Sequence, residues 1–306
     1  MKISIIGAGN VGATTAMRIA QARCGKVVLF DIVKGLAQGK CLDMEDARSL
    51  LKNDYDLTGT DDIHLIKNSD IVVVTAGLAR KPGMTREDLL AKNTQILKDV
   101  CNNIKTLCSE AIVIIVTNPL DLMTYSAIKL TGFKPQRILG MGITLDSSRF
   151  ANLISKELSV PVTDIEAVVI GTHGEGMMPL AGLTKVKGKL LTDLVKPEKA
   201  AELVKRTGLR GAEIVGLLGS GSAYYAPSAA IADLVEVIAS GKSAVRGISA
   251  YLNGEYGVKD VCIGTPCQIG KAGIEKILEV RLSKEEKDAF LKSTNSLKEQ
   301  IKNNPL

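Results

Sequence analysis

The sequence predicts an α/β fold, with a doubly wound parallel sheet in the first half of the chain and a mixed α+β region after it. Short, β-branched apolar runs stop at Gly, Asp or Pro, and helical segments separate them. Runs without polar alternation are typical of strands that are buried on both faces of a parallel sheet. The alternation of such strands with helices implies right-handed βαβ units.

The elements follow in a clear order. The runs predicted as strands in the first half are ISII, VVLF, IVVVTAG and AIVIIVTNP. VGATTAMRIAQA is predicted to be helical, and so is REDLLAKNTQILKDVCNNIKTLC, whose apolar residues fall on one face. The second half has the strand-like runs IEAVVIGTHG and DVCIGTPCQIG, and a charged amphipathic helix near its end. A change of pattern near GMGITLDSSRF predicts two domains, residues 1–143 and 144–306.

Composition excludes several classes of protein. Hydrophobic residues make up 45% of the 306 residues and aromatic residues only 3%, so the core must be aliphatic. The net charge of +6 is a weak indication of an anionic ligand. There is no basic stripe with interleaved aromatic residues to predict nucleic-acid binding. Neither a signal peptide nor a membrane-spanning apolar run occurs, so no membrane partner is expected. Six cysteines without a C-x-x-C pair predict reduced thiols, a cytoplasmic location and no metal site.

The segment GAGNVG follows the first predicted strand and opens the first helix. This is the context that the G-x-G-x-x-G fingerprint of a dinucleotide-binding Rossmann fold requires. Gly7 permits a tight turn, Gly9 lets the backbone approach a pyrophosphate, and Gly12 allows close packing of helix and strand. Asp31 ends the second strand, where a carboxylate binds ribose hydroxyls and repels the extra phosphate of NADP. The motif therefore predicts NAD, the alternative being a Gly-rich turn in some other α/β protein.

Four polar residues further along the chain are candidates for substrate chemistry. Asn118 follows the fourth strand, at the sheet edge where ligands bind, although Asn-Pro is also a common turn. Asp146 and Arg149 lie three apart at a predicted helix start, where a capping Asp and a surface Arg are the ordinary interpretation. His173 lies between glycines, and a lone histidine is more often structural than catalytic.

Oxidation of a hydroxy acid by a hydride-accepting cofactor would use residues of these types together. An imidazole exchanges protons near neutral pH, an aspartate can orient it, and an arginine fork binds both oxygens of a carboxylate. Sequence separation does not show whether the fold brings these residues together. The stretch GLARKPGMTRED adds Arg80 and Arg86. By itself this stretch is an ordinary solvated turn, and the alternative is a mobile loop that binds an anion.

The ordered motifs resemble those of the lactate/malate dehydrogenase family over nearly the whole chain, and in particular its malate branch. The matching segments are GAGNVG, FDIVKGLAQGKCLDMEDA, TAGLARKPGMTREDLL, VTNPLD, LDSSRF, THGEGM, GSAYYAPSAA and EYGVKDVCIGTPCQIGKAGIEKI. The resemblance implies NAD-dependent, reversible oxidation of (S)-malate to oxaloacetate. It also implies a homodimer or homotetramer, and no local feature chooses between the two.

The resemblance implies a role for each candidate residue. His173 is similar to the family's proton acceptor, and Asp146 to the carboxylate that partners it. Arg149 resembles the residue that binds the C1 carboxylate, and Asn118 one that contacts both substrate and cofactor. The stretch GLARKPGMTRED resembles the family's mobile lid, and Arg86 corresponds to the residue that polarises the carbonyl after this lid closes. The cofactor contacts implied in the same way are Gly7, Ala8, Gly9, Asn10, Val11, Gly12, Asp31, Asn93, Val116, Thr117 and Asn118.

Arg80 resembles the residue that chooses the substrate. Oxaloacetate has a second carboxylate with which Arg80 can pair, whereas the methyl group of pyruvate would leave the buried charge unpaired, at a cost of roughly 3–5 kcal/mol. Glu175 departs from the family's usual Asp after the histidine, and Ala223 replaces a Thr that is frequent in the lactate branch. The alternatives are a lactate or other 2-hydroxyacid dehydrogenase and, more remotely, a non-catalytic NAD-binding protein.

Overall fold

The computed structural model describes residues 1–78 and 86–304. The α-helices within these ranges are α1 (Asn10–Gln21), α2 (Leu36–Asp46), α3 (Arg48–Leu51), α4 (Arg86–Leu107), α5 (Leu120–Thr131), α6 (Ile143–Leu158), α7 (Pro197–Leu218), α8 (Tyr225–Ser240) and α9 (Lys284–Asn303). The β-strands are β1 (Lys2–Ile6), β2 (Lys26–Phe30), β3 (Leu57–Thr60), β4 (Ile71–Val74), β5 (Ile112–Ile115), β6 (Ile138–Gly140), β7 (Ile165–Glu166), β8 (Val169–Gly171), β9 (Met177–Pro179), β10 (Lys185–Val186), β11 (Lys189–Leu190), β12 (Ala244–Asn253), β13 (Lys259–Gly270) and β14 (Gly273–Ile277).

The first half of the chain forms a parallel sheet with the strand order β3-β2-β1-β4-β5-β6. This is the doubly wound order of a Rossmann fold, so the predicted fold class is confirmed. The order reverses at β1, because the chain passes outward through β2 and β3 and then returns to β4 on the other side. Ligands of open α/β sheets bind at such a switch point, outside the carboxyl ends of the strands.

Both faces of this sheet are buried under apolar side chains. Ile3 and Ile5 of β1 belong to one core cluster, whereas Ile6 belongs to another together with Val72 and Val74 of β4. Burial on both faces explains why these strands read as continuous apolar runs in the sequence. Cys101 and Cys108 are buried as free thiols in the second of these clusters.

The sheet continues into the second half of the chain. Strand β12 pairs antiparallel with β6, β13 pairs with β12, and β8 and β14 both pair with β13. Helix α8 packs against α1. The short strands β7, β10 and β11 form a separate small sheet. The mixed character predicted for the second half is therefore present, as an antiparallel extension of the first sheet.

Two strands of the parallel sheet have no clear signal in the sequence. Strand β3 has the sequence LTGT and β6 the sequence ILG. Both are short and lie at or near a margin of the parallel sheet, and pairing with β2 and β5 respectively fixes their extended backbone. Tertiary pairing therefore decides their structure, since runs this short do not determine it locally.

Gly140 marks the place where the parallel and antiparallel parts of the sheet meet. It pairs with Ser249 of β12, while helix α5 crosses beside it. A Cβ atom at Gly140 would lie 2.5 Å from Oγ1 of Thr124 and 2.6 Å from Cβ of Ser249, and both of those side chains are fully buried. Only glycine allows the two strands and the helix to approach this closely.

We expect Gly140→Ala to lower the free energy of unfolding by about 1–3 kcal/mol, because the added methyl group overpacks a buried junction. The midpoint of urea unfolding measures the effect. Gly39→Ala is the matched control, since Gly39 lies in helix α2 and a Cβ atom there would meet nothing within 4 Å. Alanine at this helical position should be neutral or stabilising by up to about 1 kcal/mol. Equal destabilisation by the two substitutions would contradict the packing argument.

Candidate active site

The glycine-rich turn after β1 has the form that a dinucleotide requires. The N–H of Gly7 donates to the carbonyl of Phe30 at 2.8 Å, and a Cβ atom at Gly12 would overlap the carbonyl oxygen of Gly7. Gly9 caps the N-terminus of α1 without a side-chain hydrogen bond, and a Cβ atom there would meet nothing within 4 Å. The space at Gly9 and the free N–H groups of α1 fit a pyrophosphate.

Two charged side chains hold this turn from the neighbouring elements. Asp31 accepts a hydrogen bond from the N–H of Ala8 at 2.7 Å and another from Val33 at 2.9 Å. Lys40, in helix α2, donates to the carbonyl of Ala8 at 2.7 Å. Asp31 thus lies beside the turn, where the ribose hydroxyls are expected. Lys40 was not predicted, because nothing in its local sequence marks a lysine that reaches back to another loop.

Asn93 and Thr117 connect the segments that follow β4 and β5. Asn93 is buried; its Oδ1 accepts from the N–H of Leu78 at 2.8 Å, and its Nδ2 donates to the carbonyl of Asn118 at 2.9 Å. Thr117 donates to the carbonyl of Ala76 at 2.6 Å. These bonds fix the backbone at the carboxyl edge of the sheet. The Asn93 side chain is therefore bound to the protein itself, and its predicted contact with the cofactor stays a prediction.

Asn118 is exposed at the end of this segment, and a cis peptide bond joins it to Pro119. Val116 is half-buried just before it, with its N–H bonded to Val74 of the neighbouring strand at 3.0 Å. Asn10 is also exposed, in the first turn of α1, and Val11 beside it is half-buried. These predicted contact residues lie at the ends of β1 and β5, where a cofactor could reach them.

His173, Asp146 and Arg149 come together as one hydrogen-bonded group. The Nδ1 atom of His173 lies 2.7 Å from Oδ2 of Asp146, and Arg149 donates to Oδ1 of Asp146 at 3.1 Å. Because a carboxylate only accepts, Nδ1 of the neutral ring carries the hydrogen and Nε2 is left to accept a proton. Asp146 therefore orients the imidazole and the guanidinium at the same time.

Helix α6 positions this group. Asp146 and Arg149 are not the capping aspartate and surface arginine that their spacing ordinarily indicates. The N-cap is Gly142, without a side-chain bond, so Asp146 does not cap the helix. Arg149 is not a surface cation, because its side chain is only 13% exposed. Within the described residues its Nε is buried without a partner, and Gly211 leaves space beside the guanidinium. Donors of Arg149 thus remain for an anionic ligand.

Gly142 also lets His173 approach the start of helix α6. A Cβ atom at Gly142 would lie 2.9 Å from Cβ of His173 and would also collide with Leu120. His173 itself lies in the turn between β8 and β9, where Gly171 and Gly174 have φ angles of 92° and 108°. The two flanking glycines therefore adopt backbone conformations that other residues rarely do, as predicted for this turn.

Asp121 and Ser249 complete the surroundings of His173, and neither was predicted. Asp121, in the first turn of α5, accepts from the backbone N–H of His173 at 2.9 Å and from Oγ of Ser249 at 2.6 Å. Asp121 was overlooked although it belongs to the motif VTNPLD. Acidic residues are common in the first turn of a helix because the helix dipole favours a negative charge there, so Asp121 gave no specific signal. Ser249 had no local signal.

The carboxylates around His173 shift its protonation. Burial lowers the pKa of His173, but the hydrogen bond and charge of Asp146 and the charge of Asp121 outweigh burial and the charge of Arg149. The pKa of the imidazole therefore stands above its usual value. Burial raises the pKa of Asp121 to about 6, against the lowering effect of the hydrogen bonds from Ser249 and His173.

Two of the predicted site residues have no described side chain. Arg80 lies outside the described residues, and so does the side chain of Arg86, although its backbone begins helix α4. Ala223 is half-buried in the link between α7 and α8. His64 is exposed. Among the residues that the structure describes, no three acidic, histidine or cysteine side chains are grouped to hold a metal ion, and none of the helices could span a bilayer.

Comparison with known proteins identifies the family. Residues 1–140 match the family model of the lactate/malate dehydrogenase NAD binding domain, and residues 143–304 match that of the lactate/malate dehydrogenase alpha/beta C-terminal domain. The chain belongs to the lactate/malate dehydrogenase family. It is 47% identical to the malate dehydrogenase of Methanosarcina barkeri, over 98% of each chain.

Solved structures from both branches of the family resemble the fold. The malate dehydrogenase of Cryptosporidium parvum is 39% identical, with a TM-score of 0.95 over 99% of this chain and 98% of that one. The lactate dehydrogenase of the same organism, solved with lactic acid and nicotinamide adenine dinucleotide, is 36% identical with a TM-score of 0.94 over 99% and 98%. Overall backbone similarity therefore does not separate the two branches.

The raised pKa of Asp121 predicts how the substitution Asp121→Asn changes stability with pH. Between about pH 4 and 6 the folded protein keeps a proton that the unfolded chain has released, so the contribution of Asp121 to stability is lost as the pH rises. Asparagine does not titrate. We therefore expect the variant to gain stability relative to the wild type as the pH rises from 4 to 7, by roughly 3 kcal/mol.

Urea unfolding at a series of pH values measures this difference. Asp260→Asn is the control, because the hydrogen bonds of Lys129 and Tyr251 outweigh burial and lower the pKa of Asp260. For Asp260 the sign is opposite: the wild-type carboxylate adds stability as the pH rises through 4, and the substitution removes that gain. A difference between Asp121→Asn and the wild type that did not change with pH would contradict the expected burial of charge.

Proposed function

We propose that the protein is an NAD-dependent malate dehydrogenase that catalyses the reversible oxidation of (S)-malate to oxaloacetate. One observation carries the proposal: His173 and Arg149 are both bonded to the buried carboxylate of Asp146, next to the start of α5 that follows Asn118. A proton acceptor and a carboxylate-binding cation thus lie together at the carboxyl edge of a sheet that carries a dinucleotide turn. The malate dehydrogenases among its relatives support the choice of substrate.

The glycine turn and Asp31 would hold the cofactor. The N–H groups at the start of α1 face the space at Gly9, and the Asp31 carboxylate beside Ala8 suits ribose hydroxyls. A carboxylate at that position repels a 2′-phosphate, which favours NAD over NADP. Bound there, NAD supplies the acceptor for the hydride. Val116 and Thr117 would line the nicotinamide end.

Arg149 would bind the C1 carboxylate of the substrate, because only its Nη1 atom bonds to Asp146 and its buried Nε has no hydrogen-bond partner among the described residues. The Nε2 atom of His173 then takes the proton of the substrate hydroxyl, while Nδ1–H stays bonded to Asp146. The Asp146 carboxylate stabilises the imidazolium that forms. In the reverse direction the imidazolium donates this proton to the oxygen of oxaloacetate.

Arg86 and Arg80 complete the proposal from the segment between β4 and α4. We propose that Arg86 polarises the reacting carbonyl and that Arg80 pairs with the second carboxylate of the substrate. Two observations support these roles: the position of both arginines in TAGLARKPGMTREDLL, and the similarity of the chain to malate dehydrogenases. A lactate dehydrogenase is the second candidate, favoured by the structural similarity to enzymes of that branch.

We also propose that the chain forms a homodimer or homotetramer in the cytoplasm and serves the tricarboxylic acid cycle. The support for this part of the proposal is the family to which the chain belongs. The proposed division into an NAD-binding domain, residues 1–143, and a substrate domain, residues 144–306, agrees with the start of helix α6 at Ile143 and with the two family matches.

We expect His173→Asn to reduce kcat for oxaloacetate reduction by at least about a thousandfold, because the variant lacks the imidazole that is proposed to exchange the proton with the substrate. Binding of NADH, followed by its fluorescence, should persist, since the glycine turn is unaltered. His64→Asn is the matched control: His64 is exposed and is the other of the two histidines in the chain. Retention of activity in the His173 variant would refute the assignment.

We expect Arg80→Gln to change substrate preference toward pyruvate. The ratio of kcat/KM for oxaloacetate to that for pyruvate should fall on the order of 100-fold, which corresponds to the lower end of the energy of an unpaired buried charge. Oxidation of NADH with each substrate measures the ratio. Lys81→Gln removes the neighbouring cation and should leave the ratio unchanged. An unchanged ratio in the Arg80 variant would show that another residue selects the substrate.

A further inference from the structure

A second buried carboxylate contacts His173, and the proposed chemistry does not use it. Oδ2 of Asp121 accepts the backbone N–H of His173 at 2.9 Å, and Oδ1 accepts the hydroxyl of Ser249 at 2.6 Å. Asp121 is only 4% exposed and Ser249 is fully buried. Burial of a carboxylate is unfavourable for the free energy of folding unless the group is well hydrogen-bonded.

Asp121 joins three separate parts of the fold. It lies in the first turn of α5, three residues after Asn118, and its partners lie in the turn after β8 and in β12. The backbone of His173 is thereby bonded to the helix whose start carries the proposed cofactor and substrate contact. The position of the imidazole relative to Asn118 depends on this carboxylate.

We propose that Asp121 is a positioning residue for His173, which holds the histidine turn against the start of helix α5 and places a second negative charge near the imidazole. The proposal rests on the proposed function for the catalytic role of His173. Asp121 touches His173 through its backbone and acts on the reaction only through that residue.

Hydrogen bonding alone does not require a charge at this position. An asparagine could accept the N–H of His173 through its oxygen and donate to Oγ of Ser249 through its amide, since a hydroxyl both donates and accepts. A neutral side chain would also avoid the burial of an anion. The difference between aspartate and asparagine here is therefore the charge, and the charge acts on the nearby imidazole.

Among the residues that the structure describes, charged or titratable groups face the pair from helix α6 and strand β13. Asp146 and Arg149 face His173 from α6, and their charges act in opposite directions. Asp121 faces the charge of Asp146 and the thiol of Cys262 in β13. Burial and the charge of Asp121 raise the pKa of the Cys262 thiol, so this thiol stays neutral. Because the pKa of Asp121 is about 6, its charge changes in the range where histidine titrates, and the two titrations are coupled.

The titration of His173 can be measured directly by NMR. The chain has two histidines, so His64→Gln leaves His173 as the only imidazole, and ¹³C-labelled histidine reports its protonation. The experiment compares this background with the same background carrying Asp121→Asn. We expect the midpoint of the His173 titration to move to lower pH in the second protein, since one of the two carboxylates that favour the imidazolium has lost its charge.

Two further variants separate charge from structure. Asp260→Asn removes an acidic charge whose carboxylate bonds Tyr125 and Tyr251, and it should leave the His173 midpoint unchanged. Ser249→Ala keeps the carboxylate of Asp121 but removes a hydrogen bond that favours its charged form. Asp121 then stays protonated to higher pH, and the His173 midpoint should move in the same direction as in Asp121→Asn, by a smaller amount.

The pH profile of the reaction gives a second measurement. The acid limb of kcat/KM for malate oxidation requires the neutral imidazole, so it should move to lower pH in Asp121→Asn. A downward movement of one unit would reduce oxaloacetate reduction about tenfold at pH values above both midpoints. If Asp121→Asn is folded by circular dichroism and its His173 midpoint equals that of the background, the proposal is wrong. The NMR result stands even if the protein does not oxidise malate, so the two proposals fail separately.

Discussion

The rest of the site depends on the hydrogen bonds that the buried carboxylate of Asp146 accepts from its neighbours. Asp146 is fully buried, and a charge in that position is strongly unfavourable unless it is neutralised and hydrogen-bonded. Its partners are Arg149, His173 and the N-terminal turn of α6, whose dipole favours an anion. The bonds that stabilise Asp146 also hold in place His173, the proposed proton acceptor, and Arg149, the proposed carboxylate-binding cation. The contacts that stabilise the buried charge are therefore the ones on which the proposed function relies.

Close approach of backbones makes this arrangement possible. Gly142 lets His173 and Leu120 pack against the start of α6, and Gly264 and Gly247 make space for Ile143. Larger residues at these positions would separate α6 from β12 and β13 and draw Asp146 away from His173. Since the antiparallel strands are built onto β6, the parallel sheet and the strands that surround His173 and Asp146 form one continuous structure.

Much of this could be predicted from the sequence because the signals are local. The apolar runs of β1, β4 and β5 are buried on both faces, and the glycine turn has a fixed order of residues between a strand and a helix. His173, Asp146 and Arg149 were identified as candidates from their residue types and from the family resemblance. The contact between Asp146 and His173 could not be derived, since 27 residues separate them.

The residues that were overlooked act through long-range contacts. Lys40 reaches Ala8 across 32 positions, and Ser249 reaches Asp121 across 128 positions. Neither residue lies in an unusual sequence context, so only the fold reveals its partner. The short strands β3 and β6 were overlooked for a similar reason, because pairing with their neighbours determines them.

Two buried carboxylates lie near the imidazole of His173, and each belongs to the first turn of a helix that begins beside this residue. Asp146 binds the ring and Asp121 the backbone of the same residue. Either carboxylate alone would favour the imidazolium, and Arg149 and burial oppose both. A histidine that must accept a proton in one direction and donate it in the other needs such a balance, because a pKa far from the working pH would favour only one direction. In the proposed mechanism, helices α5 and α6 would therefore set the protonation of His173 through their charges as well as its position.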